Sequence, residues 1–319
     1  MNPARTEQKT DKTHLTTLSD QTRFFVTESI SESTRRAYTN DLTIFVRWCQ
    51  VKRIDPIPCD AGVIANFLAD QANRGISPST LNRRIAAIKY AHEARGYLSP
   101  TLDKLVSSTL KGIRRNRKQP RKQKQAATAE KIITMLAHCD TTTLIGKRDK
   151  ALLLIGFAGA FRRSELGALT VDDVFVTDEG LRVNIRHSKT DQDAQGQQIA
   201  IPNGKMQAVD VLFDWLNHAG IFEGYVFRGF YKGGKTTRTN KLSGQAVADI
   251  VKTYALKAGF NPAEFAGHSL RSGFVTSAAE NGANLFKIMD VSRHKSVQTI
   301  REYVRHAEAF KDHAGSAFL

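Results

Sequence analysis

Between positions 111 and 124 the chain carries eight lysines and arginines and no acidic residue. Charge of one sign at that density cannot be buried, because each unpaired cation would lose its hydration. The run therefore divides the 319 residues into two parts, each of which must bury its own apolar side chains. We expect a polar, Thr-rich tail over 1–20, a helical domain over 21–115, a basic linker over 116–127, and a second domain over 128–319. A composition of 41% hydrophobic residues is enough to give each domain a core.

The first domain reads as all helical. Tyr38, Leu42, Phe45, Val46 and Cys49 form one stripe at helical spacing, with Arg36, Thr43 and Arg47 opposite. Asp55, Pro56 and Pro58 stop that helix. A second helix should run from Asp60 to Asn73 and end at Gly75. A third opens on Ser77 with Pro78 in its first turn, the arrangement of an N-cap followed by a residue that needs no N–H partner. There Leu81, Ile85 and Ile88 face inward, while Arg83 and Lys89 do not. A shorter helix spans about 101–113.

Thr128 is the expected N-cap of the second domain. Helices are expected near 129–138, 146–159, 163–168, 205–218, 244–258, 268–281, 284–291 and 296–304. Leu181, Val183 and Ile185 alternate with Arg182, Asn184 and Arg186, and Ile199 and Ile201 alternate likewise, which predicts strands inside a short sheet around 171–201. Lys189 then sits at the start of a hairpin loop. The fold class expected is mainly α in two domains, the second an α+β domain with a small antiparallel sheet.

Net charge is +16, which points to a polyanionic partner. Residues 1–127 hold 23 Lys and Arg against 11 Asp and Glu, and the remainder hold 24 against 20. Nucleic acid suits this better than a membrane, since no amphipathic anchor or lipidation signal is evident. The longest apolar run, Ala151 to Phe161, is too short to span a bilayer. Three cysteines, Cys49, Cys59 and Cys139, lack metal-ligand spacing and suit a reducing cytoplasm. The start of the chain is polar with no apolar signal region. A cytoplasmic, prokaryotic or phage-encoded protein associated with the nucleoid is the expectation.

The residues able to do chemistry follow one another along the second domain. They read Arg162-Arg-Ser-Glu165, then Lys189, then His268-Ser-Leu-Arg271, then His294, then Tyr303. Arginines grip phosphate oxygens through a planar fork and keep their charge. Histidines and a lysine can move protons, and a tyrosine can hold a phosphoryl group covalently. In this order and spacing the set resembles the tyrosine recombinase (phage integrase) family, nearest in layout to Cre-like recombinases, over a span from about Ser31 to the end.

The resemblance implies a core-binding domain followed by a catalytic domain. It assigns Arg162 and Arg271 to the scissile phosphate, with Arg162 preferred over Arg163 by the R-x-x-E pattern, and Glu165 as the group that orients the site. His268 would manage the tyrosine proton, and His294 would hydrogen-bond a phosphate oxygen. Lys189 would protonate the departing 5′ oxygen. Tyr303 would attack phosphorus and form a 3′-phosphotyrosine. A phenol ordinarily keeps its proton up to about pH 10, so nearby cations must favour the ionised form. Religation would then need no ATP, and neither metal nor cofactor is expected. The partner implied is double-stranded DNA with inverted half-sites, bound by a protein that is a monomer in solution and a homotetramer on DNA.

Expected DNA contacts are Arg36, Arg47, Arg83, Arg84 and Lys89 in the first domain, and Lys111, Arg114, Arg115, Arg117, Lys118, Arg121 and Lys122 in and before the linker. The tail from about 308 to 319 carries Phe310, Phe318 and Leu319, which the resemblance implies are anchors exchanged with a neighbouring subunit. The lack of a long extra N-terminal arm leads to the expectation of a system without accessory arm sites. Two other readings compete. One is a type IB topoisomerase-like enzyme, which shares the tyrosine chemistry but works alone. The other is a DNA-binding protein without catalysis.

Gly229 to Thr236 formally matches the P-loop pattern. That motif needs a helix to follow at once, and Thr237 to Lys241 has no helical period. The stretch reads instead as a flexible basic loop near DNA.

Overall fold

The computed structural model describes residues 29–117, 124–186 and 196–298, together with positions 21, 300, 301 and 303. The chain divides into two compact units, Met1–Arg121 and Lys122–Leu319.

Among the described residues, the N-terminal unit packs the α-helices α1 (Glu32–Lys52), α2 (Ala61–Asn73), α3 (Pro78–Glu93) and α4 (Lys104–Asn116) into a bundle. Their starts are chemically explicit. The Ser31 hydroxyl accepts from the Thr34 N–H at the head of α1, and Ser77 does the same for Thr80 at the head of α3, where Pro78 takes the first helical position. The core gathers Phe45, Ile64, Phe67, Leu68, Leu81, Ile88, Val106 and Leu110. The rings of Phe45 and Phe67 meet edge to face at 5.0 Å. Burying a side chain of this size contributes about 1.5–3 kcal/mol each.

A polar knot lies beside that core. Asp41 is 1% exposed and receives Arg83 Nε at 2.7 Å and Nη2 at 3.1 Å. Arg84 Nε lies 3.6 Å from the same carboxylate, donates through Nη1 to Gln71, and stacks over the Phe67 ring. Arg84, expected as a DNA contact on the outer face, is instead buried. The reason is register: one residue beyond Arg83, it falls on the inward side of α3, between α1 and α2.

The C-terminal unit packs helices around a small sheet. In order these are α5 (Ala129–Ala137), α6 (Leu144–Ala158), α7 (Arg163–Ala168), strands β1 (Val174–Thr177), β2 (Gly180–Ile185) and β3 (Gln197–Pro202), α8 (Ala208–His218), strands β4 (Arg228–Phe230) and β5 (Thr237–Lys241), then α9 (Gly244–Lys257), α10 (Ser269–Glu280) and α11 (Leu285–Ser292). Positions 297, 298, 300, 301 and 303 are helical as well. β1, β2 and β3 form an antiparallel sheet in which Leu181 faces Ile201 and Val183 faces Ile199. Those four residues are buried, as their alternation requires.

The second half of helix α6 is apolar all round and buried from Ala151 to Phe157, so it forms the middle of the unit. The chain at 124–128 runs along α10. There Ala127 N–H donates to Ser269 O at 2.9 Å, and Ala129 N–H donates to Ser277 Oγ at 2.8 Å. Gly273 makes this approach possible, since a Cβ there would stand 1.8 Å from the Ala127 carbonyl oxygen.

The stretch Gly229–Thr236 is the turn of the β4–β5 hairpin, in which Tyr231 N–H donates to Thr236 O at 3.0 Å. No helix follows it, so it is not a phosphate-cradling loop. The strands that flank it were not expected, and its tip at 232–236 is the turn between them. Among the described residues no helix is long and apolar enough to cross a membrane.

Candidate active site

The site forms where three chain turns meet: the turn before α7, the start of α10, and the turn after α11. Arg162 is the residue before α7. Its Nη1 donates to Glu165 Oε1 at 2.5 Å, and Glu165 Oε2 accepts the Arg162 N–H at 2.9 Å. The i, i+3 spacing read from the sequence thus becomes a cap and an ion pair at once. Arg163 is exposed, and its side chain lies along Gly244 and Gly267. This separates the two adjacent arginines: only Arg162 turns toward the cluster.

His268 immediately precedes α10 and Arg271 occupies its first turn. Arg271 is 1% exposed, and its Nη1 donates to the Ala160 carbonyl at 2.9 Å. Its Nη2 has no hydrogen-bond partner among the described residues. His294 follows α11, with Nδ1 2.8 Å from Ser292 Oγ. Tyr303 lies within electrostatic reach of Arg271. It packs on the small cluster of Val275, Ala279, Ile288 and Ile300, so fully buried Ile300 holds the tyrosine's segment against α10 and α11.

The charges interact strongly. Burial, then Arg162 and Arg293, makes the Arg271 cation costly and pushes its pKa down. Burial, then Arg271, Arg162, His268 and Arg293, pushes the His294 imidazole down to about 3. His268 meets solvent at the helix start. Even so, the protein packed behind it, followed by Arg271, Arg162 and Arg163, holds it below the usual histidine range. Burial alone would raise the Glu165 carboxyl. Arg293 and Arg162 overcome that and hold it below the usual range. Among the described residues, the site at neutral pH is therefore an array of guanidiniums around one carboxylate, with two neutral imidazoles. Such a site attracts an anion and can pass protons to and from it.

Six of the seven expected catalytic residues therefore come together: Arg162, Glu165, His268, Arg271, His294 and Tyr303. Lys189 lies outside the described residues. The strand leading to it is anchored by Arg186, which pairs with buried Asp173. The sequence reading missed Arg293, which pairs with Glu165 at 2.9 Å from inside the cluster. Its one signal in the sequence is a charge next to His294, and charges beside a histidine are common on surfaces.

The expected DNA contacts divide. Arg47, Lys111, Arg114 and Arg115 are exposed. Arg36 pairs with Glu32, and Lys89 lies 3.7 Å from Glu93. Arg83 is half exposed and tied to Asp41. Arg117 donates to the Ala72 and Ile76 carbonyls, which caps the end of α2. Lys118, Arg121 and Lys122, and the tail residues Phe310, Phe318 and Leu319, lie outside the described residues.

Comparison with known proteins bears on the same residues. The model of the Phage integrase family matches residues 125–309, and that of the phage integrase N-terminal SAM-like domain matches 22–95.

The chain belongs to the phage integrase family of tyrosine recombinases.

Among curated relatives of this family, the integrase/recombinase xerD homolog of Selenomonas ruminantium is 37% identical over 293 residues, covering 90% of this chain and 85% of the relative. The tyrosine recombinase XerD of Listeria monocytogenes is 26% identical over 301 residues, covering 90% and 92%. Among solved structures, a lambda integrase dimer bound to a COC′ core site aligns with TM-score 0.60 at 16% identity, covering 88% of this chain and 92% of the other. The Tn1549 transposon integrase in complex with transposon right end DNA aligns with TM-score 0.62 at 13% identity, covering 90% and 96%. At such identities the structural likeness speaks for the fold. The family membership makes the chain a tyrosine-type recombinase.

Proposed function

We propose that this recombinase cuts and rejoins double-stranded DNA at a specific site through a covalent 3′-phosphotyrosine on Tyr303. One observation carries the reading: Arg162, Arg271, His268 and His294, separated by up to 132 positions in the sequence, converge where Tyr303 lies within electrostatic reach of Arg271. The DNA-bound recombinases among its structural neighbours support the choice of partner.

In this reading Arg162 and Arg271 grip the non-bridging oxygens, where negative charge builds up in the pentacoordinate state. Arg271 brings an Nη2 not committed to another described residue. Neutral His268 accepts the phenol proton as Tyr303 attacks, and His294, once the bound phosphate favours a proton on its free ring nitrogen, donates from that nitrogen to a phosphate oxygen while Nδ1 stays with Ser292. Lys189 protonates the 5′ oxygen as it leaves. The phosphotyrosine conserves the ester bond, so a second 5′ hydroxyl can reverse the step on another strand. Exchange between two duplexes calls for four copies on paired inverted half-sites, with Phe310, Phe318 and Leu319 linking neighbours. The exposed cations Arg47, Lys111, Arg114 and Arg115 position the backbone.

Incubation of the full chain with a pool of nicked suicide duplexes tests this. The wild-type protein should become covalently attached to the 3′ end, and Tyr303→Phe should bind DNA without attachment. Attachment that persists in Tyr303→Phe would place the nucleophile elsewhere. Relaxation of supercoils without exchange between duplexes would favour the topoisomerase-like alternative.

A further inference from the structure

We infer that Arg293 is a positioning residue of the strand-cutting reaction, holding Arg162 and Arg271 in register through Glu165 and the Gly159–Ala160 turn. This rests on the recombinase reading above.

Arg293 is 5% exposed. Its Nη2 donates to Glu165 Oε2 at 2.9 Å and to Ala160 O at 3.0 Å, and its Nη1 donates to Gly159 O at 3.0 Å. The guanidinium also lies 5.5 Å from the centre of the Phe161 ring. Arg271 donates to the same Ala160 carbonyl, and Arg162 pairs with the same Glu165. The Arg293 carbonyl in turn lies 3.4 Å from Arg162 Nη2. Each phosphate-gripping arginine thus shares an acceptor with Arg293, and the fork of one side chain spans both acceptors.

The backbone supports the same reading. Ala160 and Arg293 both adopt left-handed conformations, with φ of 45° and 55°, which side chains other than glycine adopt only at a cost. The two strained residues are hydrogen-bonded to each other. The Ala160 geometry turns its carbonyl to where two arginines share it. The Arg293 geometry ends α11 and sets the direction in which His294 leaves.

Charge argues against a packing role alone. Glu165 already has Arg162, so a second arginine is not needed to neutralise it, and Arg293 adds to the repulsion felt by Arg271. What it adds is geometry: a planar fork with fixed donors, which lysine lacks. Displacing a reacting group by about 1 Å can lower a rate about 100-fold.

The test uses the full chain and duplexes recovered from the wild-type protein's own covalently trapped pool. Arg293→Gly suits the backbone, because glycine accepts positive φ. Its single-turnover attachment rate should fall about 100-fold at saturating DNA, with half-saturation changed less than about threefold. Millimolar guanidinium should restore part of that rate relative to equal sodium chloride. Arg293→Lys should lie between the two and carries the test if the glycine variant does not fold. A wild-type rate in either folded variant overturns the inference. So does a fall in affinity that matches the fall in rate, which would mark a residue that only stabilises the fold. If wild type itself forms no attachment at Tyr303, it is the recombinase reading that fails.

Discussion

In the N-terminal unit, Arg83 and Arg84 converge on the carboxylate of Asp41. In the C-terminal unit, Arg271 and Arg293 converge on the carbonyl of Ala160. Arg84 in the first and both arginines in the second are buried, but the acceptors differ in kind. A carboxylate neutralises the cation it orients. A carbonyl orients it and leaves its charge in place. The first arrangement joins α1 to α3. The second keeps positive charge concentrated beside Tyr303, with Glu165 as a counter-charge shared by Arg162 and Arg293. A buried cation held by carbonyls is poised for an anion that arrives from outside.

The sharpest way to break this comparison is to remove one member of each set. Arg271→Met should lower single-turnover DNA attachment about 1,000-fold, in line with loss of a donor at a developing negative charge. Its melting temperature should not fall, because an uncompensated buried charge gives way to an apolar chain of similar length. A rate within tenfold of wild type would mean Arg271 does not grip the phosphate.

Asp41→Ala should do the opposite. It strands Arg84 in the interior and should cost about 3 kcal/mol in denaturant unfolding, while the protein that remains folded attaches DNA at the wild-type rate. A loss below about 1 kcal/mol would show that Arg83 and Arg84 re-solvate and that the two knots are not different in kind.

The pH dependence sharpens the same point. Unfolded histidine titrates near about 6.5, while folded His294 is depressed to about 3 and His268 is also lowered. Below about pH 6.5 the unfolded chain therefore takes up protons that the folded site refuses. This contribution to stability is complete above that pH and is lost as pH falls toward about 3. Melting of the DNA-free protein should drop by a few degrees between pH 7.5 and 5.5, and His294→Asn should flatten the slope. His268 meets solvent, so its share should be the smaller one. An equal slope in His294→Asn would show that the cluster does not depress this ring.

The exposed cations are a third case, with neither carbonyl nor carboxylate to hold them among the described residues. Replacing Arg114 and Arg115 by Ala should weaken DNA binding a few-fold and reduce the slope of log affinity against log salt by about 2. An unchanged slope would remove them from the DNA contact.

Much of the fold was legible because local rules acted locally. Ser77-Pro78 and Thr128 stand where helices begin, and the alternation at 181–185 and 199–201 became paired strands. Helix α7 spans 163–168 as expected, because Arg162 and Glu165 cap it within one turn. The β4–β5 hairpin was missed. Its strand Thr237–Lys241 is polar and mostly exposed, so it lacks the apolar alternation by which a strand is read. Arg84 was misplaced because Arg83 and Arg84 differ only in which side of α3 they meet. Within the site, the order of arginines, histidines and tyrosine was legible, but Arg293 was not.

By itself the sequence determined where helices start and stop, which residues can neutralise, protonate or attack a phosphate, and that a basic run parts two cores. Those properties reside in single side chains and in spacings of a few residues. The tertiary structure alone decided that Arg84 is buried, that Arg293 joins the cluster, and that Ala160 offers one carbonyl to two arginines more than 100 positions away. These depend on packing between distant turns, where the cost of burying charge is settled by the acceptors that happen to meet it.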